Sequence, residues 1–178
     1  MSSPTSADDV TRAVMSEANG VFDQCLGKIE HCLNQLTDDQ IWWRPQPSLN
    51  SIGNLILHLS GNVRQWIVSG IGGAADVRNR PSEFSERGPL PKMDLLSQLT
   101  TVVNDAKSAL DRANSEDMLS VRRIQGFDVT GWSALWHTVP HFNGHTQEII
   151  GLTRQQLGDR YRFRWQPQTP EEGAPSAP

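Results

Sequence analysis

The feature that most constrains the fold is a run of apolar residues near the N-terminus that are spaced three or four positions apart. This spacing places the apolar side chains on one side of an amphipathic α-helix of about eight turns. Ser6 can cap the start of this helix, which should end before Thr37. The apolar stripe consists of Val10, Val14, Ala18, Val21, Cys25, Ile29, Cys32 and Leu36.

Three further segments show the same helical periodicity and have recognisable start and stop signals. The second and fourth are preceded by polar capping residues, the third follows a proline, and glycines stand at the ends of the second and fourth. Their limits are, in order, Asn50 or Ser51 to Gly70, Pro91 to Ala113, and Thr130 or Ser133 to Leu157.

Four amphipathic helices predict an all-α four-helix bundle. Residues 73–91 separate the second and third helices, lack periodicity, and are predicted as a long crossover loop, a kind of loop that is often functional. Residues 121–129 can be extended, although Gly126 interrupts them. We expect one domain over residues 1–158, followed by a partly disordered tail over residues 159–178.

The charge and the apolar runs exclude two classes of partner. A net charge of −4 and a pI of about 5.7 leave no dominant basic surface for nucleic acid. The N-terminus lacks a signal sequence, and no apolar run approaches the ~20 residues of a membrane span, so we expect a cytoplasmic protein. Cys25 and Cys32 lie roughly 10 Å apart on one helix, too far for a disulfide, and are interpreted as core residues.

The most distinctive pattern for function is HTVPHFNGHTQE, in which His137, His141 and His145 are spaced four residues apart. Neighbours at this spacing differ by about 40° around a helix and can bind one ion. All three together span about 80° and about 12 Å, which is too much for a single ion. One adjacent pair is therefore predicted to bind, and the remaining histidine has a structural or surface role.

A third ligand has to come from elsewhere in the chain, and the candidates are His31 and His58. His31 lies toward the polar side of the first helix and is interpreted as a surface residue. His58 interrupts an apolar run, so its ring nitrogens need a metal ion or a carboxylate. His58 with a pair from the fourth helix would give a three-imidazole site with an open position, suited to Zn²⁺ or Ni²⁺.

Glu148 lies on the same narrow helix face as His141 and His145. It can be a fourth ligand, an acceptor that orients a histidine, or a general base. It can also be a surface carboxylate paired with Arg154 or Arg122.

Two longer segments, SLNSIGNLILHLSGNVRQWI and WSALWHTVPHFNGHTQEII, resemble the second and last core helices of the DinB-like superfamily. DDQIWWRPQPSLNS is similar to the lead-in of some members, and the resemblance extends over residues 7–158. It implies a four-helix bundle, often dimeric, that binds a divalent metal. The implied ligands are His58, His141 and His145, which leaves His137 outside the site.

This chain departs from the superfamily pattern at Pro140 and at Thr-Gln-Glu after His145. Pro140 removes a backbone donor, so a kink or loosening of the fourth helix is predicted there, separating His137 from the other two histidines.

Two functions are compatible with these features. Some superfamily members resemble thiol transferases and isomerases that use mycothiol or bacillithiol, which implies a metal-dependent enzyme acting on a small molecule by S-transfer or hydrolysis. The sequence offers no convincing protein nucleophile, which favours an external thiol or water. The alternative is a non-catalytic helical module for binding or dimerisation, with a structural metal or no metal, and with Tyr161–Trp165 as its contact surface.

Overall fold

Four long helices dominate the computed structural model, which describes residues 6–165. Around the bundle each long helix packs against two others, in the cyclic order α1, α5, α3 and α7. This arrangement confirms the predicted four-helix bundle. The long helices are α1 (Ala7–Leu33), α3 (Ile52–Val63), α5 (Lys92–Arg112) and α7 (Gly131–Leu157).

Shorter elements connect these helices. The crossover between α3 and α5 contains a short helix that packs against α3, where the sequence predicted only a loop. The shorter elements are α2 (Asp38–Trp42), α4 (Arg80–Ser85), α6 (Ser115–Leu119), β1 (Val121–Ile124) and β2 (Phe127–Thr130), with a π-helical turn at Arg64–Ser69 and a 3₁₀ turn at Gly158–Arg160.

Polar side chains define the starts of three long helices. The side chains of Ser6, Ser51 and Thr130 each accept a hydrogen bond from the backbone N–H three residues later. Such caps satisfy donors that have no partner within the helix, typically contributing about 1 kcal/mol each. Local sequence therefore sets where the three helices begin.

The extended segment after α6 is an antiparallel hairpin. β1 and β2 pair from Val121 with Thr130 to Ile124 with Phe127. Gln125 and Gly126 form the turn with φ of 53° and 85°. Two consecutive positive φ values suit the twist of a two-residue hairpin turn, and the glycine adopts its value at little cost. Gly126 thus connects the two strands.

The core is continuous through the bundle, and aromatic packing lies near its centre. Phe22 of α1 and Phe142 of α7 are fully buried and meet edge to face, with ring centroids 5.2 Å apart. Cys25 and Cys32 are also buried and unpaired, and burial raises the pKa of each thiol. Both cysteines therefore lie in the core as neutral thiols.

α7 is one α-helix from Gly131 to Leu157 with Pro140 inside it, so the helix is not interrupted there, and the predicted kink or loosening stays a prediction. Trp136, whose carbonyl would have bonded residue 140, is on an exposed part of the helix, as is Pro140 itself. Water can bond a carbonyl that is freed at such a position. The helix consequently carries His137, His141 and His145 on one continuous segment.

The described part of the C-terminal tail packs against α1. Tyr161 contacts the core, and the backbone N–H of Arg162 donates to Gln35 Oε1 at 2.8 Å. His31 lies 2.6 Å from the Arg162 carbonyl oxygen and is half-buried rather than on the surface. The remainder of the predicted tail, residues 166–178, lies outside the described residues.

Among residues 6–165, no helix combines the length and apolar character that a membrane span requires.

Candidate metal centre

Three histidines from two helices converge at one place in the bundle. His58 lies on α3 and is 6% exposed, whereas His141 and His145 lie one turn apart on α7 and are half-buried. One ring nitrogen from each histidine lies within 4.8 Å of those of the other two. The structure therefore brings together the three residues that the superfamily resemblance implied.

The facing nitrogens are the Nε2 atoms of His58 and His141, which are 2.9 Å apart. The rings of His141 and His145 are nearly perpendicular, with centroids 4.5 Å apart, and His145 and His58 have a similar relation at 5.2 Å. The imidazoles thus point inward at a common centre from different directions.

Two of the three imidazoles contact a carboxylate through Nδ1. His58 Nδ1 lies 2.9 Å from Glu83 Oε2, and His145 Nδ1 lies 2.7 Å from Glu148 Oε2. This is the arrangement by which proteins orient histidine ligands of metal ions and increase their basicity. Among the roles considered for Glu148, the geometry matches the acceptor that orients a histidine.

Glu83 is itself held by Arg78, and both residues belong to the crossover between α3 and α5. Arg78 Nε and Nη2 donate to the two carboxylate oxygens of Glu83 at 2.7 and 2.9 Å. This pair lies directly against Gly61 of α3, where a Cβ would overlap Glu83 Oε1 and approach Glu83 Cδ to 2.8 Å. Only glycine at position 61 allows the carboxylate to approach the helix so closely.

The electrostatics of the centre favour a neutral imidazole at His141 and an ionised carboxylate at Glu83. Burial and the charges of His145 and His58 lower the pKa of His141 to about 4. Burial acts to raise the pKa of Glu83, but its contacts with Arg78 and His58 outweigh that effect, so the pKa lies below its ordinary value. At neutral pH, Glu83 is ionised and His141 has a free lone pair.

The donor set fits a divalent ion such as Zn²⁺ or Ni²⁺. Two nitrogens bound to one tetrahedral Zn²⁺ at 2.0–2.1 Å lie roughly 3.3 Å apart. The Nε2 atoms of His58 and His141 are 2.9 Å apart, slightly closer than this value. No two nitrogens of the group are more than 4.8 Å apart, so the separations are close to those that a shared ion requires. Imidazole suits several divalent transition metals, so the donors do not select one.

His137 and His31 do not join this group. The His137 ring stacks on Trp66 with a centroid separation of 3.9 Å, and its Nε2 lies 3.5 Å from Asn62 Nδ2. His31 contacts the backbone of the tail at the far end of α7. His137 stays next to His141, with nearly parallel rings whose centroids are 5.6 Å apart, but it does not contribute a nitrogen to the group of three.

Sequence reasoning missed Glu83 and Arg78. They lie in a polar, aperiodic segment whose composition is typical of a solvated loop. The one available signal was His58 itself: a histidine in an apolar stripe needs a hydrogen-bonding partner or a metal ion for each ring nitrogen. That requirement predicted a carboxylate or a metal for His58 without identifying the carboxylate.

Comparison with protein families places this centre within a known group. A family model described as "Protein of unknown function (DUF1572)" matches residues 9–168, which include every residue of the site. The chain belongs to the DUF1572 family. No curated protein matches the chain with comparable significance.

Solved structures similar to this DUF1572 chain confirm the DinB-like fold. A conserved protein from Enterococcus faecalis aligns with a TM-score of 0.67 at 18% identity, covering 82% of this chain and 98% of the other. A DinB-like protein from Bacillus subtilis gives 0.62 at 16% identity, with 85% and 99% covered. A DinB-like protein from Bacillus cereus gives 0.60 at 16% identity, with 76% and 90% covered.

Proposed function

We propose that this DUF1572 protein is a metal-dependent enzyme of the cytoplasm. His58, His141 and His145 would hold a divalent ion, Zn²⁺ or Ni²⁺, and the substrate would be a small molecule. The observation that carries the proposal is the convergence of three imidazole nitrogens, two of them on rings oriented by carboxylates. A solely structural role for the histidines would require neither the convergence nor the oriented rings.

When bound to three imidazoles with one position open, such an ion lowers the pKa of a water or thiol and polarises an acceptor. Glu83 and Glu148 orient the rings of His58 and His145 from the side opposite to the centre. The side chain of His145 is 25% exposed and that of Glu148 is 46% exposed, so a small molecule would reach the centre past His145, where the site is open to solvent.

The reaction we favour uses an external nucleophile, either a low-molecular-weight thiol for S-transfer or water for hydrolysis. Cys25 and Cys32 are buried, and the raised pKa of each disfavours the thiolate needed for attack. An external nucleophile is therefore supported by the burial of both cysteines and by their protonated thiols.

Metal binding is the first test. Protein treated with a chelator and then incubated with Zn²⁺, Ni²⁺ or Co²⁺ should retain one ion per chain, measured by elemental analysis after desalting. His58→Ala, His141→Ala and His145→Ala should each lower this stoichiometry, whereas His137→Ala should not, because His137 stacks on Trp66 outside the group. Retention of a full equivalent by the three variants would refute the ligand assignment.

Activity is the second test. Addition of a cysteine-derived thiol to the Co²⁺ form should change its visible spectrum, and turnover of an electrophile with that thiol should require the ion. If thiols change nothing but ester or amide substrates are hydrolysed, the nucleophile is water. If neither occurs, the enzymatic proposal fails while the metal site can remain.

The second candidate is a non-catalytic module for binding or homodimer formation. Phe163 and Trp165 are 54% and 75% exposed, and they line a cleft of about 480 Å³ with Lys28 and Ile150. Exposed aromatic residues beside basic ones are typical of interfaces. Light scattering on the wild type and on Trp165→Ala tests the proposed surface: loss of a dimer with unchanged metal content assigns this surface to assembly, whereas a dimer that persists in the variant removes that assignment.

A further inference from the structure

We propose that Glu83, held by a two-point contact with Arg78, is a positioning residue that fixes the tautomer of His58 and thereby makes its Nε2 a ligand. The inference rests on the proposed metal centre. It assigns the crossover between α3 and α5 a role in the chemistry of the site, in addition to connecting two helices.

The Arg78–Glu83 pair is buried and geometrically constrained. The side chains of Arg78 and Glu83 are 3% and 7% exposed, and both carboxylate oxygens accept from the guanidinium. Arg78 is held in turn by Gln65 Oε1, which accepts from Nη1 at 3.0 Å, and by Asp76 Oδ1, which accepts from its backbone N–H at 3.1 Å. A planar guanidinium in this position leaves the carboxylate little freedom.

The proton on His58 follows from the charge of its neighbour. The 2.9 Å contact between His58 Nδ1 and Glu83 Oε2 needs one hydrogen, and an ionised carboxylate can only accept. Arg78 Nη2 also lies 3.2 Å from His58 Nδ1, but a guanidinium hydrogen bonded to Nδ1 would leave two acceptors facing each other across the 2.9 Å contact. Nδ1 therefore carries the proton, and a neutral His58 ring has its lone pair on Nε2.

That lone pair points at the proposed centre. His58 Nε2 faces His141 Nε2 at 2.9 Å, so the metal-free protein has one N–H shared between them, donated by His141. Binding of an ion would require His141 to transfer that proton to its own Nδ1, after which both neutral rings would present Nε2. In the opposite tautomer, Nε2 of His58 would carry a hydrogen as well, and His58 would have to transfer it before it could bind.

The second carboxylate, Glu148, provides a natural comparison. It contacts His145 in the same way, but it is three residues away on the same helix and its side chain is 46% exposed. Water can replace an exposed acceptor, so its removal should matter less. Comparing the two glutamates therefore shows whether burial of the carboxylate, and not only its contact with a histidine, is needed to fix the tautomer.

Glu83→Gln tests the inference because an amide cannot replace this carboxylate in either orientation. If the amide nitrogen takes the place of Oε2, it donates to His58 Nδ1 and favours the tautomer with the proton on Nε2, although it then opposes Arg78 Nη2. If it takes the place of Oε1, it opposes Arg78 Nε in a buried site. We expect the first outcome, in which the preference of His58 is inverted, because Nε has a single hydrogen and Nη2 has a second one.

The experiment combines ring-nitrogen NMR of the chelator-treated protein with Zn²⁺ affinity by competition. In the wild type, long-range ¹H–¹⁵N spectra should show His58 protonated at Nδ1, and in Glu83→Gln protonated at Nε2. The Zn²⁺ dissociation constant should rise about 10–100-fold in Glu83→Gln. Glu148→Gln is the matched control and should raise it by about threefold or less.

The outcomes separate this inference from the metal site on which it rests. If the wild type does not bind Zn²⁺, the proposed function fails. If the wild type binds and Glu83→Gln binds equally well, Glu83 only anchors the crossover and the inference is overturned. Wild-type His58 protonated at Nε2 overturns it too, and that measurement requires no variant to fold.

Discussion

Replacement of Gly61 by alanine is a sharp test of how the crossover is attached to the bundle. A Cβ at this position would overlap Glu83 Oε1 and lie 3.0 Å from Arg78 Nε. Elsewhere in a helix, the same substitution stabilises by about 1 kcal/mol, because glycine has more backbone freedom to lose. The two effects have opposite signs, so the measurement decides between them.

The expected magnitude follows from the contacts that must shift. Glu83 cannot move away from Gly61 without weakening its bonds to Arg78 and His58, and all three side chains are buried. Breaking a buried ion pair by removing one partner costs about 3–5 kcal/mol. After subtracting the helix gain, we expect Gly61→Ala to lose about 2–4 kcal/mol of unfolding free energy, or roughly 5–15 °C in melting temperature.

The assay is urea or thermal unfolding of metal-free protein, with Gly151→Ala as the control. Gly151 is exposed on α7, and a Cβ there would meet nothing within 4 Å. That variant should be as stable as the wild type or more stable by up to about 1 kcal/mol. If Gly61→Ala were equally harmless, the close packing of Glu83 on α3 would be refuted.

Two further predictions concern the core and the pH dependence of folding. Phe22→Ala should cost about 3–5 kcal/mol in urea unfolding, because Phe22 is fully buried against Phe142, and a loss below about 1 kcal/mol would contradict that packing. In the metal-free protein, the pKa of His141 falls from 6.5 to about 4 on folding, so the unfolded chain binds more protons between these values. Stability should therefore rise with pH across this window, by at most about 1.4 kcal/mol per unit and by less because the ring is partly exposed, and then level off. Melting curves at pH 5, 6 and 7 check this, and a His141→Asn variant with an unchanged slope would contradict it.

The long helices were predictable because each combines an apolar stripe with local start signals. Ser6 caps as the sequence predicted, and Ser51 and Thr130 were each one of two residues proposed. Periodicity and capping act within a few turns of chain, so one sequence is enough to detect them. The same reasoning predicted a kink or loosening at Pro140; the helix continues through this residue, and Trp136, whose carbonyl loses its donor, is exposed.

The three histidines of the site could be predicted from the sequence, but the residues that hold them in place could not. His58, His141 and His145 came from helical spacing together with a family resemblance, and the structure places them side by side. Arg78 and Glu83 became visible only in three dimensions, since their pairing with His58 depends on how the crossover lies on α3. Polar residues in an aperiodic segment have no pattern that distinguishes buried partners from solvated ones.

The chain distance between His58 and His141 has a further consequence for the unfolded state. Their nitrogens face each other across 83 positions of sequence. In a chain-entropy description, closing a loop of that length costs an unfolded polypeptide roughly 4.5 kcal/mol. In the folded protein, helix packing has already brought His58 and His141 together. Of the ligand pairs in this centre, an unfolded chain therefore has ready access only to His141 and His145, which are separated by a single helical turn. A metal ion would consequently distinguish folded from unfolded molecules, and the rise in melting temperature on Zn²⁺ addition should be lost in His58→Ala.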